Sequence, residues 1–471
     1  MNKSGHTYIS LIIVLSIFAS SFTIISAQEV KPLKDKLTLL ECREMALQNN
    51  LKLKIAQEQV KAAEYKTAAY KTNYLPKLSA TGLYLYSDAT LNENIEGGYL
   101  PTFIPDGQGN MIPNDGFAYL PDIPLELKVG GTYNAALQVE QPIYMGGKVT
   151  AAYQMAKKGQ EMTQVKEKLS AVELSVLSDK AYWNTVKVKA MITSANQYKA
   201  TLEELHRTVK NAVDAGMTHR KDLLSVQVKL NEAELNLTRA KNGYRLAIMN
   251  LNHIIGLPLN NETEIADSFT NETDISISAD ILKNFNEFDV SLRPEHHLLS
   301  KQIELKEHQE KLTRSDFLPN VGVKAMYGYT NGLKLNDETM LDDTNFAAVL
   351  SVNIPIFNWG EGRNKLKEAE VERSIAQMQL KYAQEEMTLE VTKAFNNLQE
   401  ALLEITLSSK SVEQAEQNMK ISKDRYKAGM ETLANYMETQ TIWQKAMSDL
   451  IAAKATYQLS RTEYLKAVGK L

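Results

Sequence analysis

The chain has 471 residues, 44% of them apolar and 23% charged, with a net charge of −4 and a mean hydropathy slightly below zero. Lys plus Arg (53) nearly balance Asp plus Glu (57), which excludes a global basic field for nucleic acid and an acidic disordered tail. The single cysteine, Cys42, cannot close an intrachain disulfide and no Cys/His cluster has zinc spacing, so stability has to come from packing or assembly.

Residues 1–27 read as a secretory signal. Lys3 precedes an apolar run from Ile9 to Ala19, and the stretch closes on Ile24-Ile25-Ser26-Ala27, a small residue at a cleavable position. As an anchor the run is short, and Ser16, Ser20, Ser21 and Thr23 interrupt it. No later apolar stretch approaches the ~20 residues of a spanning helix, so passage through a membrane would have to use strands.

From there the period changes in a fixed order. Residues 39–72 are helical in pattern, rich in Ala, Lys, Glu and Gln. Strands are expected over 76–87, where Leu78, Ala80, Gly82, Tyr84 and Tyr86 alternate with other residues, and over 131–142, where Tyr133, Ala135, Leu137 and Val139 do so. Between them Asn92 to Pro124, rich in Gly, Pro, Asn and Asp, reads as a long irregular loop. A helix over 148–213 then runs without proline, and at 1.5 Å per residue it would reach about 100 Å. It carries two apolar seams: one through Met162, Val165, Leu169, Val172 and Val176, the other through Leu174, Ala181, Val188, Leu202, Leu205 and Val209. Two seams mean a neighbour on each side, as for a stave in a hollow cylinder, with a solid bundle as the competing geometry. Ala215-Gly216-Met217 turns the chain into a helix over 219–255.

After a connector over 257–292 the unit repeats. Pro142-Ile143-Tyr144 recurs as Pro355-Ile356-Phe357, Ala215-Gly216-Met217 as Ala428-Gly429-Met430, and Gly256 as Gly469, all at an offset of 213. Upstream, Leu75-Pro76 and Leu318-Pro319 are 243 apart, so the first copy (28–256) carries 30 extra residues in its hairpin relative to the second (293–471). The second copy's strands are expected over 319–330, with Tyr327 and Tyr329, and 345–356, with Phe346; its helices over 362–427 and 432–468. The returning helices are only about half as long as the long ones; the helix over 39–72, whose counterpart runs over about 295–315, has about the missing length and is expected to stack end to end on a returning helix to complete a fourth stave.

The chain resembles the TolC-like outer-membrane efflux family. The resemblance is carried by Leu37-Thr38-Leu39-Leu40-Glu41-Cys42, the Leu-Pro strand starts at Pro76 and Pro319, the two Pro-Ile-aromatic strand ends, Gly256-Leu257-Pro258-Leu259 and Arg425-Tyr426-Lys427-Ala428-Gly429. It implies a mainly α chain with transmembrane β-structure: a homotrimer giving four strands per protomer to a twelve-stranded barrel in outer-membrane lipid, continued by a helical periplasmic tunnel. Aromatics near strand ends, Tyr84, Tyr86, Tyr133, Tyr327, Tyr329 and Phe346, would form its interfacial girdle. The implied function is a passive exit duct working with a periplasmic adaptor (membrane fusion) protein and an inner-membrane pump of RND or ABC type, favouring small-molecule (drug) efflux, with type I protein secretion as the alternative. A cell-surface coiled-coil scaffold is the alternative of another class.

The resemblance also implies a gate at the tip turns, Gly216 and Gly429. There Asp222 matches a carboxylate linking the two tips, Tyr426 the tyrosine it meets, and Glu438 one acidic ring. Asn435 stands where the other ring's carboxylate would be, and Glu431 reverses the charge of a linking arginine. Arg220, Lys221 or His219 is therefore expected to pair with Glu431. No nucleophile elbow, phosphate loop, HExxH or dinucleotide turn occurs, so no enzyme, cofactor or metal is expected, and the His296-His297 pair with His308 does not share one helix face.

Overall fold

The structure is a computed structural model that describes residues 36–269, 288–332 and 334–471. The expected signal and residues 270–287 of the expected connector lie outside these described residues. Among the described residues no helix is long and apolar enough to cross a membrane.

Where one continuous helix is expected over 39–72, the chain forms two, α1 (Leu39–Asn49) and α2 (Leu51–Lys71). Thr38 opens α1 with a capping box: its hydroxyl accepts from the Glu41 N–H at 3.3 Å and the Glu41 carboxylate accepts from the Thr38 N–H at 3.0 Å. The break comes at Asn50, which is extended (φ −65°, ψ 129°) and caps α2 through the Lys52 N–H at 2.8 Å.

Strand β1 (Lys77–Leu85) leads into a hairpin built of β2 (Thr90–Ile95), β3 (Gly98–Pro105), β4 (Met111–Leu120) and β5 (Ile123–Lys128). This corrects the reading of Asn92 to Pro124 as an irregular loop. Pro101, Pro105 and Pro113 sit on β3 and β4, which pair only with each other, so each missing N–H can face outward without breaking a ladder. The turn between them is tied by Asp106, whose carboxylate accepts from the N–H groups of Gln108 (2.8 Å) and Asn110 (2.9 Å).

The chain returns in β6 (Thr132–Met145), and the second copy adds β7 (Asn320–Asn331), the short β8 (Lys334–Leu335) and β9 (Glu338–Thr339), and β10 (Asp342–Asn353). The four long strands form one antiparallel sheet in the order β1-β6-β7-β10. Its register sorts the side chains. Leu78, Ala80 and Tyr84 lie opposite Val139, Leu137 and Tyr133; Leu137 and Val139 lie opposite Tyr327 and Ala325; Phe346, Ala348 and Leu350 lie opposite Tyr327, Ala325 and Val323. Paired residues share a face, so the alternating apolar residues of all four strands fall on one side, while Lys77, Gln138, Glu140, Lys324, Asn345 and Ser351 fall on the other. Of the six girdle aromatics, Tyr84, Tyr133, Tyr327, Tyr329 and Phe346 are on this apolar face, with the Tyr133 and Tyr329 rings 5.9 Å apart; Tyr86 lies just past the end of β1 and is exposed.

Each strand continues a helix. α2 feeds β1, β6 leads into α3 (Lys148–Asp214), α5 (Pro294–Ser315) feeds β7, and β10 leads into α6 (Glu361–Lys427); α4 (Arg220–Ile255) and α7 (Leu433–Ala467) return from the far turns. Near the sheet the helices pack in the order α2-α3-α5-α6, and toward the turns in the order α4-α3-α7-α6. α3 therefore has a neighbour on both sides over its whole length, and its buried residues include Val176 from the first seam and Leu174, Ala181, Leu202, Leu205 and Val209 from the second.

The half-length helices meet end to end midway. Asn50 donates to the Ile254 carbonyl at the end of α4 at 2.7 Å, and Gly256 (φ +76°) passes so close that a Cβ would lie 2.5 Å from that of Asn49. Here α1 and the segment after α4 build the main core: Leu37, Cys42, Leu53, Tyr182, Trp183, Leu251, Ile255, Ile265 and Phe269. Leu37 and Ile265 form a parallel bridge, and Trp183 stacks on Phe269. Burial, with the nearby carboxylates of Glu41, Asp267 and Asp179, pushes the Cys42 thiol up to about 12, leaving it inert.

At the edge of this core Asp179 is fully buried. It accepts from Arg43 at 2.6 and 2.5 Å and from the Thr462 hydroxyl at 2.6 Å, joining α1, α3 and α7. Arg43 keeps 28% of its side-chain exposure, whereas Asp179 keeps none, so the two cannot be deleted with equal consequence. Arg43→Met strands a buried carboxylate and should cost about 3–5 kcal/mol of stability. Asp179→Asn should cost less, and Arg43→Met with Asp179→Leu should recover part of the loss; helix melting by circular dichroism ranks the three, and an Asp179→Asn loss equal to that of Arg43→Met would contradict the assignment.

Nearer the sheet, Lys158 and Lys301 both contact Glu161 and Glu304, at 2.7–3.1 Å, across α3 and α5. The Lys158 hydrogen bond holds Glu304 below the usual carboxylate range; burial pushes Glu161 up, but Lys301 and Lys158 outweigh it and the net shift is downward. Both carboxylates thus contribute stability that is present above their unfolded value of about 4.3 and lost as pH falls through the lower folded value. The melting temperature should drop on acidification below about pH 5, and the Glu161→Gln/Glu304→Gln variant should show a shallower drop; identical slopes would assign the acid sensitivity elsewhere.

Candidate functional site at the helical tips

The long helices end in two matching turns. Gly216 (φ +72°) and Gly429 (φ +70°) take the left-handed conformation that lets the next N–H groups reach back: Met217 donates to Ala212 O at 2.8 Å and Met430 to Arg425 O at 2.9 Å. The returning helices start differently. Thr432 caps α7 by accepting the Asn435 N–H at 3.3 Å, while His219 gives α4 no side-chain cap. In its place Asp222 sits in the first turn of α4, where the helix dipole favours an anion, and accepts from the Thr218 hydroxyl at 2.5 Å.

The two hairpins pack around a small core of Leu205, Val209, Val226, Leu433 and Tyr436, with Tyr426 against it. The Tyr426 and Tyr436 rings stack at 5.4 Å and 21°. Burial raises the Tyr426 phenol, and the Asp222 carboxylate on the other hairpin raises it further, so Asp222 and Tyr426 are brought into one electrostatic neighbourhood. Lys423 reaches Glu204 at 3.4 Å, a second link from α6 to α3.

Glu431 differs from the expectation of a partner on the first tip. It lies 3.8 Å from Arg425, a cation of its own hairpin, and not against Arg220, Lys221 or His219. The turn itself explains this, because reversing the chain at Gly429 sets the last turn of α6 beside the residues that start α7. Arg220 and Lys221 are exposed on the first tip. Asn435 and Glu438 are exposed on α7, one turn apart.

One tip residue escaped the sequence reading. Gln440 is fully buried, and neither amide atom has a hydrogen-bond partner, although the amide lies beside the Tyr436 phenol. Ser422, 3% exposed, leaves its hydroxyl equally unpaired. The signal was present: Leu433, Tyr436, Gln440 and Trp443 follow three-and-four spacing, with one polar residue in an apolar seam.

Nothing at the tip resembles a reaction centre. Among the described residues no group of three or more His, Cys, Asp or Glu could hold a metal ion. His296 contacts Gln384 at 2.9 Å across α5 and α6, and burial, with Lys311 and Lys158, holds His308 low.

A sheet of four strands continued by staves of matching order, turned at two glycines, is shared with known proteins. Over 94% of this chain and 90% of the other, the fold matches the outer membrane channel CmeC of Campylobacter jejuni, with a TM-score of 0.70 and 17% identity. Outer membrane protein TolC of Escherichia coli is 22% identical over 352 residues, 72% of this chain and 69% of its own length. The alkaline protease secretion protein AprF of Pseudomonas aeruginosa is 20% identical over 332 residues, 69% of this chain and 67% of its own length. The sequence model of the family described as "Outer membrane efflux protein" matches residues 42–257 and 296–470, one segment for each strand-and-helix unit. With both units matched, and with a fold common to solved channels, the chain belongs to the outer membrane efflux protein family, TolC-like transport proteins of the outer membrane and not enzymes.

Proposed function

We propose that three copies of this chain close into a passive duct, a twelve-stranded barrel in the outer membrane continued by a tunnel of twelve staves, and that its two halves are internal repeats of one unit. The observation that carries this reading is the state of the protomer's two flanks. β1 and β10 each pair on one side only, and an open sheet edge in lipid costs several kcal/mol per unpaired backbone group. The outermost staves match them. On α6, Val371, Ile375, Met378, Tyr382 and Leu389 form an exposed seam at heptad spacing; on the opposite flank Leu40, Leu47, Leu51 and Ile55, then Leu224, Val228 and Leu235, do the same. Twelve staves at about 10 Å spacing enclose a ring roughly 38 Å across its helix axes, with nearly 30 Å clear inside.

Such a duct does no chemistry, so energy and selection come from its partners: a periplasmic adaptor and an inner-membrane pump of RND or ABC type. The cargo we favour is small molecules such as drugs. The match to AprF, named for alkaline protease secretion, keeps type I protein secretion as the second reading. The tip turns act as the gate, with Asp222, Tyr426, Glu431 and the two glycines holding it, and Asn435 and Glu438 lining the constriction.

In planar bilayers the protein should give single-channel currents from a heat-stable trimer. Asp222→Ala with Glu431→Ala should raise the resting conductance, because the tip loses both charges; unchanged resting behaviour would remove these residues from the gate. Glu438, present three times around the axis, should favour cations, and Glu438→Gln should lower the cation-to-anion permeability ratio. An anion-selective wild-type pore would rule this out.

A further inference from the structure

The two joins between sheet and staves correspond in sequence, yet their side chains pack differently. In the first copy Tyr74 packs edge-on against Tyr153 at 5.9 Å, beside Val149. At the offsets of 243 and 213 the same places in the second copy hold Phe317, Leu366 and Gly362. Two side chains have become smaller, and Phe317 has moved in so close that a Cβ on Gly362 would lie 2.8 Å from its ring. What remains is a cavity of about 590 Å³ between the end of α5 and the start of α6.

Its rim is basic. Arg314 and Arg363 both line it and both are exposed; their counterparts in the first copy are Lys71 and Thr150, so the second arginine is particular to this join. The nearby carboxylates are already neutralised: Asp316 by Lys148 at 2.8 Å, and Glu361 by Lys365 at 2.6 Å. Neither arginine has an ion-pair partner among the described residues. The first turn of α6, which begins at Gly360 without a side-chain cap, adds the positive end of a helix dipole.

Ile356 and Phe357 line the cavity with the two unpaired guanidinium groups, and the Trp359 ring lies 5.0 Å from that of Phe357; at 92%, 69% and 89% exposure the three form a ledge of large apolar groups. A guanidinium presents planar paired donors to phosphate oxygens, and an aromatic ledge suits acyl chains at the interface.

We propose that this join binds the phosphate of an anionic phospholipid from the periplasmic leaflet of the outer membrane, held by Arg314 and Arg363 with its chains on Ile356, Phe357 and Trp359. The site lies between the last two staves of one protomer, with Arg314 on α5 and Arg363 on α6, the stave at the flank that would meet another copy. It rests on the reading of the sheet as part of a lipid-embedded barrel.

Trp359 is one of three tryptophans, and Trp183 and Trp443 lie on α3 and α7, well away from the sheet, which makes it a local probe. The full-length protein, with Trp183→Phe and Trp443→Phe, is reconstituted in phosphatidylethanolamine vesicles containing a small fixed fraction of acyl-brominated phosphatidylglycerol or acyl-brominated phosphatidylethanolamine. If those two changes impair folding, the difference between the native protein and Trp359→Phe gives the same signal. Each arginine should enrich the anionic lipid roughly fivefold at the site, so the brominated phosphatidylglycerol should quench more strongly. Arg314→Gln with Arg363→Gln should abolish that preference and leave quenching by the ethanolamine lipid intact. Equal quenching by the two lipids, or a preference that survives the double substitution, would overturn the proposal. No quenching by either lipid would overturn the proposal, whereas absence of single-channel currents from a trimer would overturn the barrel reading on which it rests.

Discussion

The wall of this molecule depends on hiding helix ends in its middle. α3 and α6 run unbroken from sheet to turn, but their neighbours are two half-length helices each, so every such stave contains a C-terminus facing an N-terminus. Helix termini carry unpaired carbonyls and N–H groups that cannot be left dry. Asn50 resolves the first joint by serving both ends at once, its oxygen capping α2 and its nitrogen donating to the last turn of α4. Its counterpart at the offset of 243 is Arg293, which resolves the second joint by charge. At 3% exposure it packs against Gly469 and meets Glu295 at 2.9 Å and Glu390 at 2.7 Å.

The choice of residue at each joint has consequences beyond the joint. An asparagine makes few demands on its surroundings, and around Asn50 the chain builds an apolar core, closed by Tyr182 and the segment through Ile265. A buried arginine needs carboxylates, and Glu390 draws in Lys466 as well, at 3.5 Å. The second joint is accordingly a charged network beside a core of Val391, Leu398, Ala453 and Tyr457. The two joints thus share an arrangement of helix ends and differ in which physical term closes it.

How much of this is legible in sequence follows from which signals are periodic. The strands, the long helices and the turns at Gly216 and Gly429 were readable because burial repeats every second or every 3.5 residues and because the offset of 213 doubles each signal. The break at Asn50 was not, since an asparagine among good helix formers looks like an ordinary exposed position until its partner on α4, 204 residues away, is known. Strands over 98–120 were hidden by prolines that an isolated two-stranded ladder tolerates. The partner of Glu431 was misjudged for a related reason: charge sign can be read from sequence, but the turn geometry decides which cation is nearest.

Buried polar atoms are treated unevenly along the helices: Asp179 has three hydrogen bonds, while its neighbour Ser178, equally buried, leaves its hydroxyl unpaired. At the tip, Gln440 and Ser422 are buried with their polar atoms unpaired, each at a cost of about 1–3 kcal/mol relative to a satisfied group. Apolar residues at those two positions would pack without that cost. Leaving them polar forgoes that stabilisation on the helices that carry Tyr426 and Tyr436. Local opening is easiest where burial brings the least net stabilisation.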